Sequence, residues 1–244
     1  MPFLLTTIAG LSTMIGTFLI FLSKKKSNFI ILSSLSFAAA VMMTVSFTDL
    51  IPESYSMLSL TFRAFPTILI LLIFINIGII LSFTIDKYLP DTSSDGLYRV
   101  GLISMLSIIL HNIPEGIATF MAGNTDLKLG ITLTIAIALH NIPEGISISV
   151  PIYYATGSKF KALFYTFISG LSELLGAIIT YLFLKPFISD TVMGCLFATI
   201  AGIMLHISIS ELIPTALKYK KIKLVIIFFI MGMTFMIISH LLFN

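Results

Sequence analysis

Eight stretches of this chain, each about 20 residues long, are almost free of charge, and that pattern leaves few folds open. They run over roughly 3–22, 30–52, 65–85, 100–121, 129–152, 162–184, 191–216 and 223–243. An apolar helix of about 20 residues crosses the hydrocarbon core of a bilayer, where every backbone group must be satisfied within its own segment. Over all 244 residues, 57% are hydrophobic and only 10% are charged. A soluble globular domain carries about 25% charged residues. The chain therefore reads as an all-α integral membrane protein, one transmembrane domain over 1–244 with eight transmembrane helices, multi-pass in the cell (inner) membrane with the lipid bilayer as its partner.

What else the composition excludes follows quickly. The single cysteine, Cys195, rules out an internal disulfide and a cysteine metal cluster. No Walker A loop is present, which argues against ATP-driven pumping by this chain. The net charge of +3 sits in short loops, so no nucleic-acid partner is expected. The first span has no basic residue before it and no small-x-small cleavage site, and Lys24, Lys25 and Lys26 follow it. It is expected to be a retained helix rather than a signal peptide.

The loops orient the chain. With eight spans and the N-terminus outside, the cytoplasmic connections hold 11 of the 14 Lys and Arg residues, and the outer ones hold only Arg63, Lys128 and Lys185. The positive-inside rule then places both termini on the extracytoplasmic side. The longest connection, 86–99, reads as a flexible polar loop.

Two internal repeats narrow the function. His111-Asn112-Ile113-Pro114-Glu115-Gly116-Ile117 returns as His140-Asn141-Ile142-Pro143-Glu144-Gly145-Ile146, identical in all seven positions at an offset of 29. In each copy His and Glu are four apart and share one face of a helix, with Asn beside them. Each proline frees the carbonyl one turn earlier, that of Leu110 or Leu139. The second repeat sets Ala39–Pro52 against Ala201–Pro214 at an offset of 162, with Asp49 opposite Glu211. Both repeats join antiparallel spans, so both are inverted. Inverted repeats are a mark of transporters that bind substrate near the midplane.

Glu115, Glu144 and Glu173 lie in mid-span, and Asp49 and Glu211 lie within their helices, with no Lys or Arg at that depth. A charge at the bilayer centre costs at least about 2.5–3.5 kcal/mol, so such residues mark a function. A protonated acid packing two helices explains one isolated Glu. It does not explain five acids and two in-register histidines. A proton relay does not require His and Glu at this spacing twice. Membrane zinc proteases usually show His-Glu-x-x-His, which is absent here. Imidazole, amide and carboxylate donors without a thiolate suit zinc, iron, manganese, cobalt or cadmium better than copper(I). The reading is transport of a divalent metal ion as substrate, with no cofactor and no enzyme activity. The alternative is a proton-coupled carrier or channel for another small cation or solute. Asp49 and Glu211 are expected to guard the outer and inner mouths, each with a methionine seven positions earlier on the same face. Ser107 lies one turn before His111 and is either a path-lining hydroxyl or a helix-to-helix hydrogen bond.

Two successive spans with His-Asn-x-Pro-Glu-Gly resemble the fourth and fifth helices of the ZIP (Zrt/Irt-like) metal transporters, and the short bacterial zinc-uptake branch in particular. The resemblance covers nearly the whole chain. It implies two adjacent metal positions on the fourth, fifth and sixth helices. The first would use His111, Glu115, His140, Glu144 and the thioether of Met42. The second would use Asn112, Glu115, Asn141, Glu144 and Glu173, with Glu115 and Glu144 bridging. Asn141 stands where some members of the family carry Asp. The resemblance also implies uptake into the cytosol without ATP, and a homodimer as a common assembly. Many relatives have a histidine-rich segment in the loop matching 86–99, and this chain has none.

Overall fold

A computed structural model describes residues 1–22, 27–89, 96–184 and 187–243. All regular structure among them is helical. Seven helices are long and apolar enough to cross a membrane, and a shorter apolar one precedes them. In chain order they are α1 (Pro2–Gly16), α2 (Asn28–Ser59), α3 (Ala64–Tyr88), α4 (Leu97–Thr125), α5 (Leu127–Thr156), α6 (Lys159–Phe183), α7 (Asp190–Leu217) and α8 (Ile222–Leu242). Lys24, Lys25 and Lys26, and residues 90–95 of the polar loop, lie outside the described residues.

Short polar punctuation sets the boundaries. The side chains of Ser27, Asp126, Ser158 and Ser189 accept from the backbone N–H three residues on, and so cap α2, α5, α6 and α7. Gly157 ends α5 in the left-handed region at φ 70°, where glycine carries no steric penalty.

Two spans differ from expectation. The first does not run as one helix. After Gly16 the chain tightens through Thr17 N–H to Met14 O and Phe18 N–H to Ile15 O, both 3.0 Å, before a single turn at Leu19–Leu22. Tight i→i+3 bonding of this kind is common where a helix ends. The second span was expected to stop at Pro52, yet α2 continues to Ser59. A π-helical turn at Ser46–Leu50 precedes the proline, and Ile51 N–H bonds back to Ser46 O. The ladder is already re-phased there, so the missing proline donor falls in the first turn of the next helical piece, where it is tolerated.

α4, α5, α6 and α1 pack on one another at the centre, with α2 against α5 and α8, and α7 against α4 and α3. Exchanging α1 with α6, α2 with α7, α3 with α8 and α4 with α5 maps this pattern onto itself. That is the inverted repeat in three dimensions. In the apolar stretches of α3 and α8 only 17% and 22% of the residues are buried, against 78% in that of α2, so their apolar surfaces face outward as lipid-facing helices do.

Candidate metal centre

The doubled motif keeps its α-helical form through Pro114 and Pro143, in the middle of α4 and α5. What holds these two helices to α6 and α1 is the motif glycine. A Cβ on Gly116 would stand 1.9 Å from the carbonyl oxygen of Glu173 on α6. One on Gly145 would stand 1.8 Å from that of Thr13 on α1. Only glycine permits either crossing.

The amides reinforce the same two crossings. Asn112 Nδ2 donates to Ser169 O on α6 at 3.2 Å, and Asn141 Nδ2 donates to Ala9 O on α1 at 3.0 Å. Asn141 Nδ2 also lies 3.0 Å from Glu173 Oε2 and donates to it. These contacts expose a repeat that sequence reasoning missed. Ala9-Gly10-Leu11-Ser12-Thr13-Met14-Ile15-Gly16 matches Ser169-Gly170-Leu171-Ser172-Glu173-Leu174-Leu175-Gly176 in four positions at an offset of 160. That self-comparison would have paired α1 with α6. It also shows where the symmetry fails, because Thr13 stands opposite Glu173.

The histidines pair across the copies. His140 Nε2 lies 3.1 Å from Glu115 Oε1 and is hydrogen-bonded to it. His111 Nε2 lies 2.9 Å from Glu144 Oε1, close but not aligned for a hydrogen bond. Each copy on its own helix supplies half of each pair. Around the pairs, Glu115 Oε2, both carboxylate oxygens of Glu144, Glu173 Oε1, Asn112 Oδ1 and Asn141 Oδ1 are buried acceptors without a hydrogen-bond donor. A buried polar atom left so costs about 1–3 kcal/mol, and a group of oxygens in this state is a natural receptor for a cation. Among the described residues no three His, Cys, Asp or Glu side chains already converge in a metal-holding arrangement.

The pairs are not equivalent. His111 and Glu144 are fully buried, whereas Glu115 and His140 line a cavity of about 1010 Å³. Its lining reaches Thr125 at the end of α4 and Asp190 at the start of α7, at the face of the molecule where α4 joins α5.

The remaining expected residues are distributed around this centre. Asp49 lines the cavity. Met42 is fully buried in the main apolar core and does not share that lining. Met42 and Asp49 thus meet different surroundings, and the π-helical turn Ser46–Leu50, which carries Asp49, interrupts the regular α-helical spacing that joins them. Glu211 sits half-buried in the matching π-helical turn Ser208–Leu212, with Asp86, Arg99 and Lys218 as its charged neighbours. Arg99 Nη2 donates to Asp86 Oδ1 at 2.8 Å, joining α3 to α4 at that end. Ser107 is fully buried and lies outside the cavity lining. His240, near the end of α8, also lines the cavity and pairs with Asp49 at 2.6 Å. Sequence spacing carries no sign of that contact, because it joins α8 to α2.

Comparison with known proteins settles the family. The ZIP zinc transporter family profile matches residues 90–240. The chain belongs to the ZIP zinc transporter family. Full-length relatives agree. A zinc transporter ZupT of Streptococcus mutans is 43% identical, over 99% of this chain and 97% of its own length. Another, of Clostridium perfringens, is 40% identical over 100% of this chain and 96% of its own. A third, of Oceanobacillus iheyensis, is 38% identical over 99% and 97%. As a ZIP protein the chain is a multi-pass membrane transporter and not an enzyme.

Proposed function

We propose that this ZIP chain carries divalent transition-metal ions, zinc first among them, across the cell membrane into the cytoplasm. Cargo would pass through a site built from His111, Asn112, Glu115, His140, Asn141, Glu144 and Glu173. The observation that carries this reading is the crosswise His–Glu pairing amid buried acceptor oxygens. An incoming cation would replace a proton between imidazole and carboxylate and satisfy oxygens that have no donor. The donor set is nitrogen and oxygen without thiolate, which favours zinc, iron, manganese, cobalt or cadmium over copper(I). Relatives that are zinc transporters put zinc at the head of that series. The basic cytoplasmic loops support an orientation with both termini outside, and the cavity then opens outward.

The test is zinc uptake by vesicles holding the purified protein, with iron, manganese, cobalt and cadmium as competitors. Glu115→Ala and Glu144→Ala should each abolish uptake while the protein is still made and inserted. Wild-type rates in both variants would end the reading.

A further inference from the structure

The outer cavity holds two groups for which the doubled motif gives no account. Asp49 lies in the π-helical turn of α2, and His240 lies near the end of α8. His240 Nδ1 donates to Asp49 Oδ1 at 2.6 Å, and Thr48 Oγ1 donates to Asp49 Oδ2 at 2.8 Å. The side chains of His240 and Asp49 are 30% and 27% exposed, while Glu115 and His140, in the lining of the same cavity, are nearly buried. Asp49 is also close enough to act electrostatically on His140. Mouth and centre are thus one continuous path.

The chemistry of the pair is specific. An imidazole that keeps its Nδ1 proton on a carboxylate presents Nε2 as the lone-pair nitrogen. A carboxylate holding a histidine in this way fixes its tautomer and raises its basicity as a metal ligand. Asp49, Glu53 and Asp190 alone would draw in any divalent cation, calcium and magnesium included. Those hard ions prefer oxygen, whereas zinc, cobalt and cadmium also take imidazole. One histidine at an acidic mouth therefore converts general attraction into selection.

We propose that His240, positioned by Asp49, is the nitrogen ligand of an entrance site that takes a divalent transition-metal cation in preference to magnesium or calcium, before the ion reaches Glu115 and His140. The inference rests on the uptake reading above, and the two can fail separately.

The experiment uses the full-length protein, both in vesicles and in detergent. His240→Asn keeps a donor for Asp49 and removes the ligand, so it separates metal binding from helix packing. It should raise the apparent KM for zinc roughly tenfold or more, the scale of loss seen when a metal ligand's support is removed. The maximal rate should hold, and excess magnesium, harmless to the wild type, should now inhibit. Asp49→Ala should act in the same direction. With Glu115→Ala and Glu144→Ala combined, the protein should still bind zinc weakly by equilibrium dialysis, and adding His240→Asn should remove that binding. A His240→Asn protein with wild-type KM and magnesium tolerance overturns the entrance site, as does residual zinc binding that ignores position 240. Wild-type uptake without Glu115 and Glu144 overturns the central site instead, and leaves the dialysis result to judge the entrance.

Discussion

Glu115 and Glu144 are one residue in two copies of a motif, yet they meet different surroundings. Glu115 hydrogen-bonds to His140 within reach of the cavity, while Glu144 is sealed against His111. A cation that takes both His140 Nε2 and Glu115 Oε1 displaces the hydrogen between them. Metal binding should therefore release at least one proton per ion, and zinc affinity should rise with pH from mildly acidic to neutral. Calorimetric titration in two buffers of different ionisation enthalpy reads this directly. Identical heats, with an affinity flat across that range, would show that the pair is not where the ion binds. The spacing of His and Glu in each motif was legible as a shared helix face. The resemblance implied that both copies share a site, but not which His pairs with which Glu, because the crossing of α4 and α5 sets that.

The π-helical turns carry the argument at the level of the element. Ser46–Leu50 and Ser208–Leu212 stand at the same offset of 162 as the sequence repeat, each two residues before a proline. Ile51 N–H to Ser46 O and Ile213 N–H to Ser208 O are equivalent long-reach bonds. Such turns recur at functional positions because they re-aim the side chains they carry. Here the side chains are Asp49 at the cavity and Glu211 near Asp86 and Arg99. Pro52→Ala restores a backbone donor and favours a regular helix, which swings Asp49 from His240. It should raise the KM for external zinc several-fold with little change in maximal rate, whereas Pro214→Ala should mainly lower the maximal rate. Uptake kinetics on the two variants separate these outcomes. Equal effects on both parameters in both variants would remove the distinction between the mouths. The two prolines were visible in the sequence, but the turns were not, since a π-helical turn follows from how the backbone re-phases around its neighbours.

At the scale of the whole molecule, the pseudo-two-fold exchange turns the open pair Glu115–His140 into the closed pair Glu144–His111. The same operation relates Ala118, which lines the cavity, to Ser147, which is fully buried. Carriers built from inverted repeats alternate access largely by moving one repeat against the other around the fixed site. A second state should then open Glu144 and Ser147 toward the opposite face. With Cys195 replaced by Ser, Ala118→Cys should react with a membrane-impermeant thiol reagent from outside, and Ser147→Cys only from the cytoplasmic side. Labelling of both from one face would contradict both the exchange and the orientation with outer termini.

The sequence by itself determined the all-helical membrane class, the doubled motif and the family. Each of these rests on local composition or on identity between segments, which need no knowledge of packing. Tertiary structure alone decided the crosswise His–Glu pairs, the sealing of one and opening of the other, the seat of Gly116 and Gly145 on the backbones of Glu173 and Thr13, and the meeting of His240 with Asp49. These contacts join residues from different helices, and their distances depend on how closely the helices cross. Apolar periodicity is uninformative on that point in a bilayer, where lipid and neighbouring helix are equally apolar and both faces of a span read alike.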